Sequence, residues 1–329
     1  MKIGKVPENV LKRSVLGQIK RRREEVTLCA AVGEDCTALS LSGDEVFVMS
    51  TDPITGTVHD IGKLAAMITA NDLASAGAEP IGIMITMLLP EEVTEEELKN
   101  IMTDIEAECE ALNMQVLGGH TEITKAVNQI LISVTGVGKA DKNNIIKTSG
   151  ARPGMDILLT KWIGLEGTSI IAKEKREELL TRFSAKMIDD AADFDKYISV
   201  VEDAKIAVKY GVSAMHDVTE GGIFGALWEM GEASDVGLNI DVKSIPVKQE
   251  TVEICEFFGI SPYELISSGS MLMAARDGVG LAMELKRHGI EATVIGKATR
   301  GNDRLLLNGE EKRFLEPPKS DELYKVVGR

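Results

Sequence analysis

Apolar residues recur along the chain at two spacings, and the switches between them lay out the elements. Val46-Phe47-Val48-Met49-Ser50 reads as a short strand that ends on Thr51-Asp52-Pro53. The step then lengthens to three and four residues at Ile61, Leu64, Ala65 and Ile68, which predicts a helix from Ile61 to Ala76. Asp60 is its expected N-cap, and Gly77 with Pro80 its stop. Continued, the stripe runs into Asn71 and Asp72. A carboxylate on a packed helix face is costly unless donors, a cation or water meet it. Either the backbone of a neighbouring loop or a ligand has to meet Asp72, unless the stripe runs out into solvent.

Ile81 to Leu89 reads as a strand closed by Pro90. The acidic stretch Glu91 to Asn113 carries Leu98, Ile101, Ile105 and Leu112 at helical steps, and Thr94 with Glu97 forms a capping box at its start. Val116-Leu117 leads into Gly118-Gly119-His120-Thr121-Glu122, and Ile130 to Val137 is a strand rich in β-branched residues. The polar stretch Lys139 to Gly150 reads as a link, which sets one domain at residues 1–148 and a second at 149–329.

In the second half, Ile157 to Thr160 is a strand, Thr168 caps a helix through Leu180, and Asp190 to Lys209 carries another helix. A helix follows from about Ile223 to Ala233, then a strand from Met271 to Ala275, a helix from Val279 to His288, and a last strand around Val294-Ile295. Helices alternate with strands in both halves, so the expected class is α/β or α+β.

Length agrees with two domains, since 329 residues exceed one ordinary core. A net charge of -15 argues against nucleic-acid and anionic-membrane partners, whose phosphates need clustered Lys and Arg. Cys29, Cys36, Cys109 and Cys255 show neither a CxxC pair nor a zinc-knuckle spacing, which fits reduced, buried thiols. There is no signal-peptide pattern and no long apolar run, so a cytoplasmic protein is expected.

Three acids share one context, the edge of an element beside a small residue: Asp35 in Gly33-Glu34-Asp35-Cys36, Asp52 in Ser50-Thr51-Asp52-Pro53, and Asp72 in Ala70-Asn71-Asp72-Leu73. Glu122 with His120, after the paired glycines, makes a fourth. Scattered carboxylates suit Mg2+, which takes hard oxygens together with substrate phosphates. Singly, each such acid is more often a turn former or cap. The chain has no Walker A sequence.

In the second half, Gly221-Gly222 stands ahead of a helix whose free N–H groups would welcome an anion. His216, Asp217, Thr219 and Glu220 come immediately before it. They read as catalytic candidates or, equally, as a Thr219 cap with His216 satisfied in a loop. Ser267-Ser268-Gly269-Ser270 is a second small-residue loop.

Together, in order, these stretches resemble the aminoimidazole ribonucleotide (AIR) synthetase superfamily, the PurM-like fold, over roughly residues 30 to 300. The motifs that carry the resemblance are Gly-Glu-Asp-Cys near residue 33, Thr51-Asp52-Pro53, Asp60-Ile61-Gly62-Lys63-Leu64, Asn71-Asp72-Leu73-Ala74, Gly77-Ala78-Glu79-Pro80, Gly118 to Glu122, and His216 to Gly222. Asp60 to Pro80 and His216 to Gly222 look most like the hydrogenase-maturation carbamoyl dehydratase (HypE) branch and the AIR synthase-related proteins near it.

The resemblance implies a homodimer in which the N-terminal domains form a β-barrel, a C-terminal α/β domain, and ATP bound with Mg2+. It implies ATP-dependent activation of an amide, thioamide or carboxylate-type oxygen, or phosphate transfer to a small molecule. By position, Asp35, Asp52 and Asp72 would face metal and phosphate, with Asn71 supporting Asp72. Gly118, Gly119, Thr121, Gly221 and Gly222 would lie against the nucleotide, and His216, Asp217 and Glu220 would serve catalysis.

Two departures stand out. His120 occupies a position where many relatives carry Asp, and the chain ends Tyr324-Lys325-Val326-Val327-Gly328-Arg329 rather than in the cysteine that carries the carbamoyl group in the dehydratase branch. The chain is therefore not expected to be a carbamoyl carrier. The competing expectation is a nucleotide-binding assembly or regulatory protein related to hydrogenase maturation, without turnover.

Overall fold

A computed structural model describes residues 4–5, 10–28, 38–54, 60–317 and 320–327. They fall into two units, residues 1–74 with 78–145, and residues 75–77 with 146–329.

The first unit is built on a five-stranded sheet of β1 (Gly4–Lys5), β4 (Glu45–Ile54), β5 (Glu79–Leu89), β6 (Gln115–Ile123) and β7 (Leu131–Asp141), in the order β1-β6-β5-β7-β4. Only β5 and β6 run parallel. A small separate ribbon pairs β2 (Val26–Leu28) with β3 (Ala38–Leu39).

Helix α1 (Ile61–Ser75) is buried around most of its circumference, because its small residues let neighbours approach on more than one side. A Cβ on Gly136 of β7 would lie 2.4 Å from the Thr69 methyl, and one on Gly62 would lie 2.6 Å from the Ile101 carbonyl of α2 (Glu95–Ala111). The expected capping box is present, with Thr94 Oγ1 accepting from the Glu97 N–H and Glu97 accepting from the Thr94 N–H. Ile83, Met87, Leu98, Met102 and Ile105 are fully buried.

One expectation changes in this unit. Strand β4 continues through Asp52 and Pro53 to Ile54, which is permitted because β4 is a sheet edge, where a missing N–H breaks no ladder bond. Gly118 to Glu122 continues strand β6, which carries a bulge opposite Ile83 and Met84.

The second unit holds a seven-stranded sheet, in the order β14-β13-β10-β12-β8-β11-β9. Its strands are β8 (Asp156–Thr160), β9 (Ala214–Asp217), β10 (Gly237–Asp241), β11 (Met271–Ala275), β12 (Ala292–Thr299), β13 (Arg304–Asn308) and β14 (Glu311–Phe314). Its helices include α3 (Leu165–Glu174), α4 (Ala185–Ala192), α5 (Val201–Tyr210), α6 (Gly222–Ser234), α7 (Gln249–Phe258), α8 (Gly278–Arg287) and α9 (Leu323–Val327). One core cluster packs Ile223, Leu227 and Met230 of α6 with Ile157, Leu159, Leu272 and Ile295 of the sheet. Another joins Ile170 and Ile171 of α3 to Ile188, Ile254, Leu265 and Leu323.

Thr168 does not begin its helix: α3 starts at Leu165 after Gly164 in a left-handed conformation, and the Thr168 hydroxyl is spent inside, on Thr251. Asp190 to Lys209 is broken into α4, a short 3-10 turn at Asp193–Tyr197, and α5. Among the described residues no helix is long and apolar enough to cross a membrane.

Candidate functional site

In the first unit, burial alternates along β4, so Ser50, Asp52 and Ile54 turn toward the packed face and Met49, Thr51 and Pro53 away. The Ser50 hydroxyl donates to Asp72 Oδ2 of α1 over 2.6 Å. Asp52 stands two residues further along the same face, about 7 Å from Ser50 by strand geometry. Asp72 and Asp52 are half-buried, and Asn71 is buried. The row opposite Asp52 runs Val134, Ile85, Gly119 across the paired strands, which brings β6 onto that line.

The paired glycines differ in kind. Gly119 has φ 152 and its Cβ would lie 1.9 Å from the Ile85 carbonyl oxygen, so packing demands glycine there. A Cβ on Gly118 would meet nothing within 4 Å. Thr121 is buried, and His120 Nε2 lies 3.3 Å from Glu122 Oε2, two residues apart on one face of the strand. Gly118 to Thr121 also border a cavity of about 70 Å³, walled by Leu11, Val15, Ile85 and Met102.

Asp35 lies outside the described residues. Among those described, no three His, Cys, Asp or Glu side chains converge so as to hold a metal ion. Asp52 and Asp72 are hard oxygen donors that suit Mg2+ when phosphate oxygens complete its shell.

In the second unit, antiparallel pairing gathers loops at one end of the sheet. Leu159 pairs with Leu272 and Met271 with Asp217, so the residues after β8, before β11 and after β9 lie together. Ser267 Oγ accepts from the Gly164 N–H over 2.7 Å, Ser270 donates to the Trp162 carbonyl, and the Met271 N–H donates to Thr160 Oγ1.

Asp217 ends β9 and is buried, while Glu220 is exposed. His216 Nε2 lies 2.7 Å from Glu229 Oε2 of α6, and its Nδ1 lies 4.0 Å from Asp217 Oδ1. Gly221 and Gly222 both have positive φ, and a Cβ on Gly222 would press the Tyr263 and Leu265 carbonyls at 2.6 and 2.8 Å. Thr219 does not cap α6: Gly221 is the N-cap, with no side-chain bond. The Gly221 N–H instead donates to Asp321 Oδ2 over 2.7 Å.

Sequence reasoning missed two carboxyl groups here. Glu166, in the first turn of α3, is buried, and burial, with a smaller contribution from the Asp321 charge, pushes its pKa up to about 7 against the pull of Ser268. Burial likewise raises Asp321. The only signal was Glu166 inside the small and apolar stretch Gly164 to Thr168.

Residues 33–140 match the AIR synthase related protein N-terminal domain, and residues 152–307 match the AIR synthase related protein C-terminal domain. The putative hydrogenase expression/formation protein MJ0676 of Methanocaldococcus jannaschii is 28% identical, over 98% of this chain and 97% of that protein. Carbamoyl dehydratase HypE of Cupriavidus necator is 30% identical, over 80% and 76%. Among solved structures, hydrogenase maturation protein HypE in complex with ATP superposes with a TM-score of 0.79 at 20% identity, over 96% of this chain and 95% of that one. Thiamine-monophosphate kinase from Stenotrophomonas maltophilia gives 0.74 at 18%, over 92% and 96%.

Proposed function

This chain belongs to the AIR synthase related family, both of whose domains it contains, and from that membership we propose that it is a magnesium-ATP-dependent enzyme activating or phosphorylating a small acceptor. The acceptor's reacting group is an amide, a thioamide or a carboxylate-type oxygen. Relatives on this fold support the ATP requirement: one is a carbamoyl dehydratase, and others were solved with ATP or are thiamine-monophosphate kinases.

The observation that carries the reading is the bond from Ser50 to Asp72, which sets Asp72 against the strand face that Asp52 shares with Ser50. Half-burial leaves them partly dehydrated, so a cation held by these carboxylates would gain more than it would in open water. When bound, Mg2+ supplies charge neutralisation at the phosphates. Asp52 and Asp72 would hold it, Asn71 would support Asp72, and Gly118, with open space at its Cα, would let nucleotide come close to the backbone. Asp35, outside the described residues, would join them by its place in the motif alone. The second unit, taken by itself, offers the Gly221-Gly222 backbone to an anion, and His216, steadied by Glu229, with Asp217 and Glu220 as its proton-handling groups.

The reading includes a homodimer, with the first unit of one chain pairing with its copy. ADP formation from ATP, measured across amide, thioamide and carboxylate acceptors with and without magnesium, tests it. Acceptor-dependent ADP formation that needs magnesium supports the enzyme. Tight ATP binding with no ADP formed under any acceptor favours the regulatory alternative.

A further inference from the structure

The C-terminal segment places its own carboxylate where the α6 helix would receive an anion. Asp321 is 2% exposed, and it accepts from the Gly221 N–H at 2.7 Å through Oδ2 and from the Leu323 N–H at 2.8 Å through Oδ1. The segment is fastened on both sides of that contact. The Glu322 N–H donates to the Glu264 carbonyl over 3.2 Å, Glu322 Oε2 accepts from the Ser261 N–H, and Leu323 is buried in the cluster around α3. Beneath it lies Glu166, whose Oε2 is buried with no hydrogen-bond partner. A buried carboxyl oxygen without a partner is tolerable while the group is neutral and costly once it is charged.

We propose that residues 320–327 form a latch over the start of α6, held shut by Asp321 on the Gly221 N–H and released when Glu166 beneath it loses its proton. Opening admits water to the Glu166 carboxylate and frees the Gly221 N–H for an external anion.

The groups facing this carboxyl come from several elements, and those that act on it and on its neighbours are acidic or neutral. Asp321 and Ser268 act on Glu166, Glu220 acts on Asp321, and Glu220, Asp321 and Glu166 all act on Tyr324. Lys325 is engaged by Glu322. The direction in pH follows from burial. The shut state holds the Glu166 proton up to about pH 7, while an open, hydrated carboxyl loses it near 4.5. The latch is therefore strongest below pH 4.5, weakens as pH rises to about 7, and is level above that.

Only the consequence for anion binding rests on the reading of Gly221-Gly222 as ligand-approaching; the latch stands without it. Hydrogen exchange of the 320–327 amides, followed by mass spectrometry across this pH range and corrected for intrinsic exchange, is the test. Protection should fall on the order of 100-fold between pH 4.5 and 7, following the tenfold-per-unit limit of a single titrating group. In Glu166→Gln it should stay high throughout. Flat protection in the parent protein, or the parental fall retained in Glu166→Gln, overturns the latch. Asp321→Asn, which keeps an acceptor for Gly221, gives a second reading: with less charge near Glu166 the fall should begin at the same pH and end lower, and an unchanged end point counts against coupling of the two acids. Inorganic phosphate added at neutral pH should lower protection further. If the pH response stands and phosphate does nothing, it is the reading of Gly221-Gly222 that fails.

Discussion

The Ser50 hydroxyl donates to Asp72 Oδ2 over 2.6 Å, so the edge strand β4 and helix α1 are joined through the carboxylate that the apolar stripe left unexplained. Asp72→Asn keeps the volume and an acceptor for Ser50 while removing the charge. It should leave the metal-free fold as stable as before and weaken magnesium-dependent ATP binding by roughly tenfold or more, about 1.4 kcal/mol. Ser50→Ala should lower stability by about 1–2 kcal/mol, because Asp72 loses a donor. Glu96→Gln, on the exposed side of α2, is the control and should change neither. Calorimetric titration of ATP with and without magnesium decides: if Asp72→Asn binds like the parent, Asp72 is a structural acid and the metal reading is wrong.

Glu25 is 6% exposed and receives Arg23 at 2.6 and 2.9 Å and Lys139 at 2.6 Å. The bonds from Arg23 first, then those from Lys139, hold its pKa down to about 2 against the effect of burial. A depressed carboxylate contributes stability fully above its unfolded value of 4.5, and that stability is lost as pH falls toward 2. The contribution at neutral pH is on the order of 2–3 kcal/mol. Urea midpoints taken from pH 7 down to pH 3 should converge between the parent and Glu25→Gln. A constant gap between them contradicts this assignment.

The sequence disclosed the helices of the first unit because their signals are local. The Thr94 to Glu97 box and the α1 stripe need only neighbours three and four residues away. It flagged Asp72 as needing a partner without showing Ser50, since that contact depends on how β4 lies against α1. Gly118-Gly119 lies in a strand, where Gly119 fits because the Ile85 carbonyl comes close, a contact between distant residues that composition does not show. Glu166 was invisible for a related reason. A Glu in the first turn of a helix reads as a solvated acid favoured by the helix dipole. Its burial comes from residues 267–270 and 320–323, about a hundred or more positions away.

The outer face of β4 carries Phe47 and Met49, 47% and 63% exposed, on a sheet edge. Large apolar side chains at an open edge invite pairing with a second copy. Light scattering should give about twice the chain mass of 35.6 kDa, and the double change Phe47→Glu with Met49→Glu should shift it toward one. A monomeric parent that still binds ATP removes the shared-barrel reading.

Cys109 and Cys255 are buried and free of disulfides. Burial drives the Cys109 thiol far above its usual range and pushes Cys255 up to about 12. The thiolate is the reactive form, so neither should alkylate in the native state at pH 8. Peptide mapping after brief iodoacetamide treatment checks this, with full labelling expected only in denaturant. Native labelling of Cys255 at a rate near that of a free thiol would show that helix α7 opens readily.

Gly118 and Gly119 are adjacent, chemically identical, and predicted to fail in different ways. Alanine at 119 puts a methyl 1.9 Å from the Ile85 carbonyl oxygen, a backbone atom that cannot swing aside, and at φ 152 the residue is strained as well. Gly119→Ala should therefore destabilise the first unit by more than about 2 kcal/mol, as overpacking against a fixed neighbour does. Alanine at 118 meets nothing within 4 Å, so Gly118→Ala should melt within about 0.5 kcal/mol of the parent. If nucleotide approaches the backbone there, the same methyl lies in its way, and ATP affinity should drop roughly tenfold while the fold is intact. Thermal melts paired with ATP titrations separate these outcomes. Parental ATP affinity in Gly118→Ala would mean that the glycine pair serves only the sheet, and that the nucleotide lies elsewhere in the first unit.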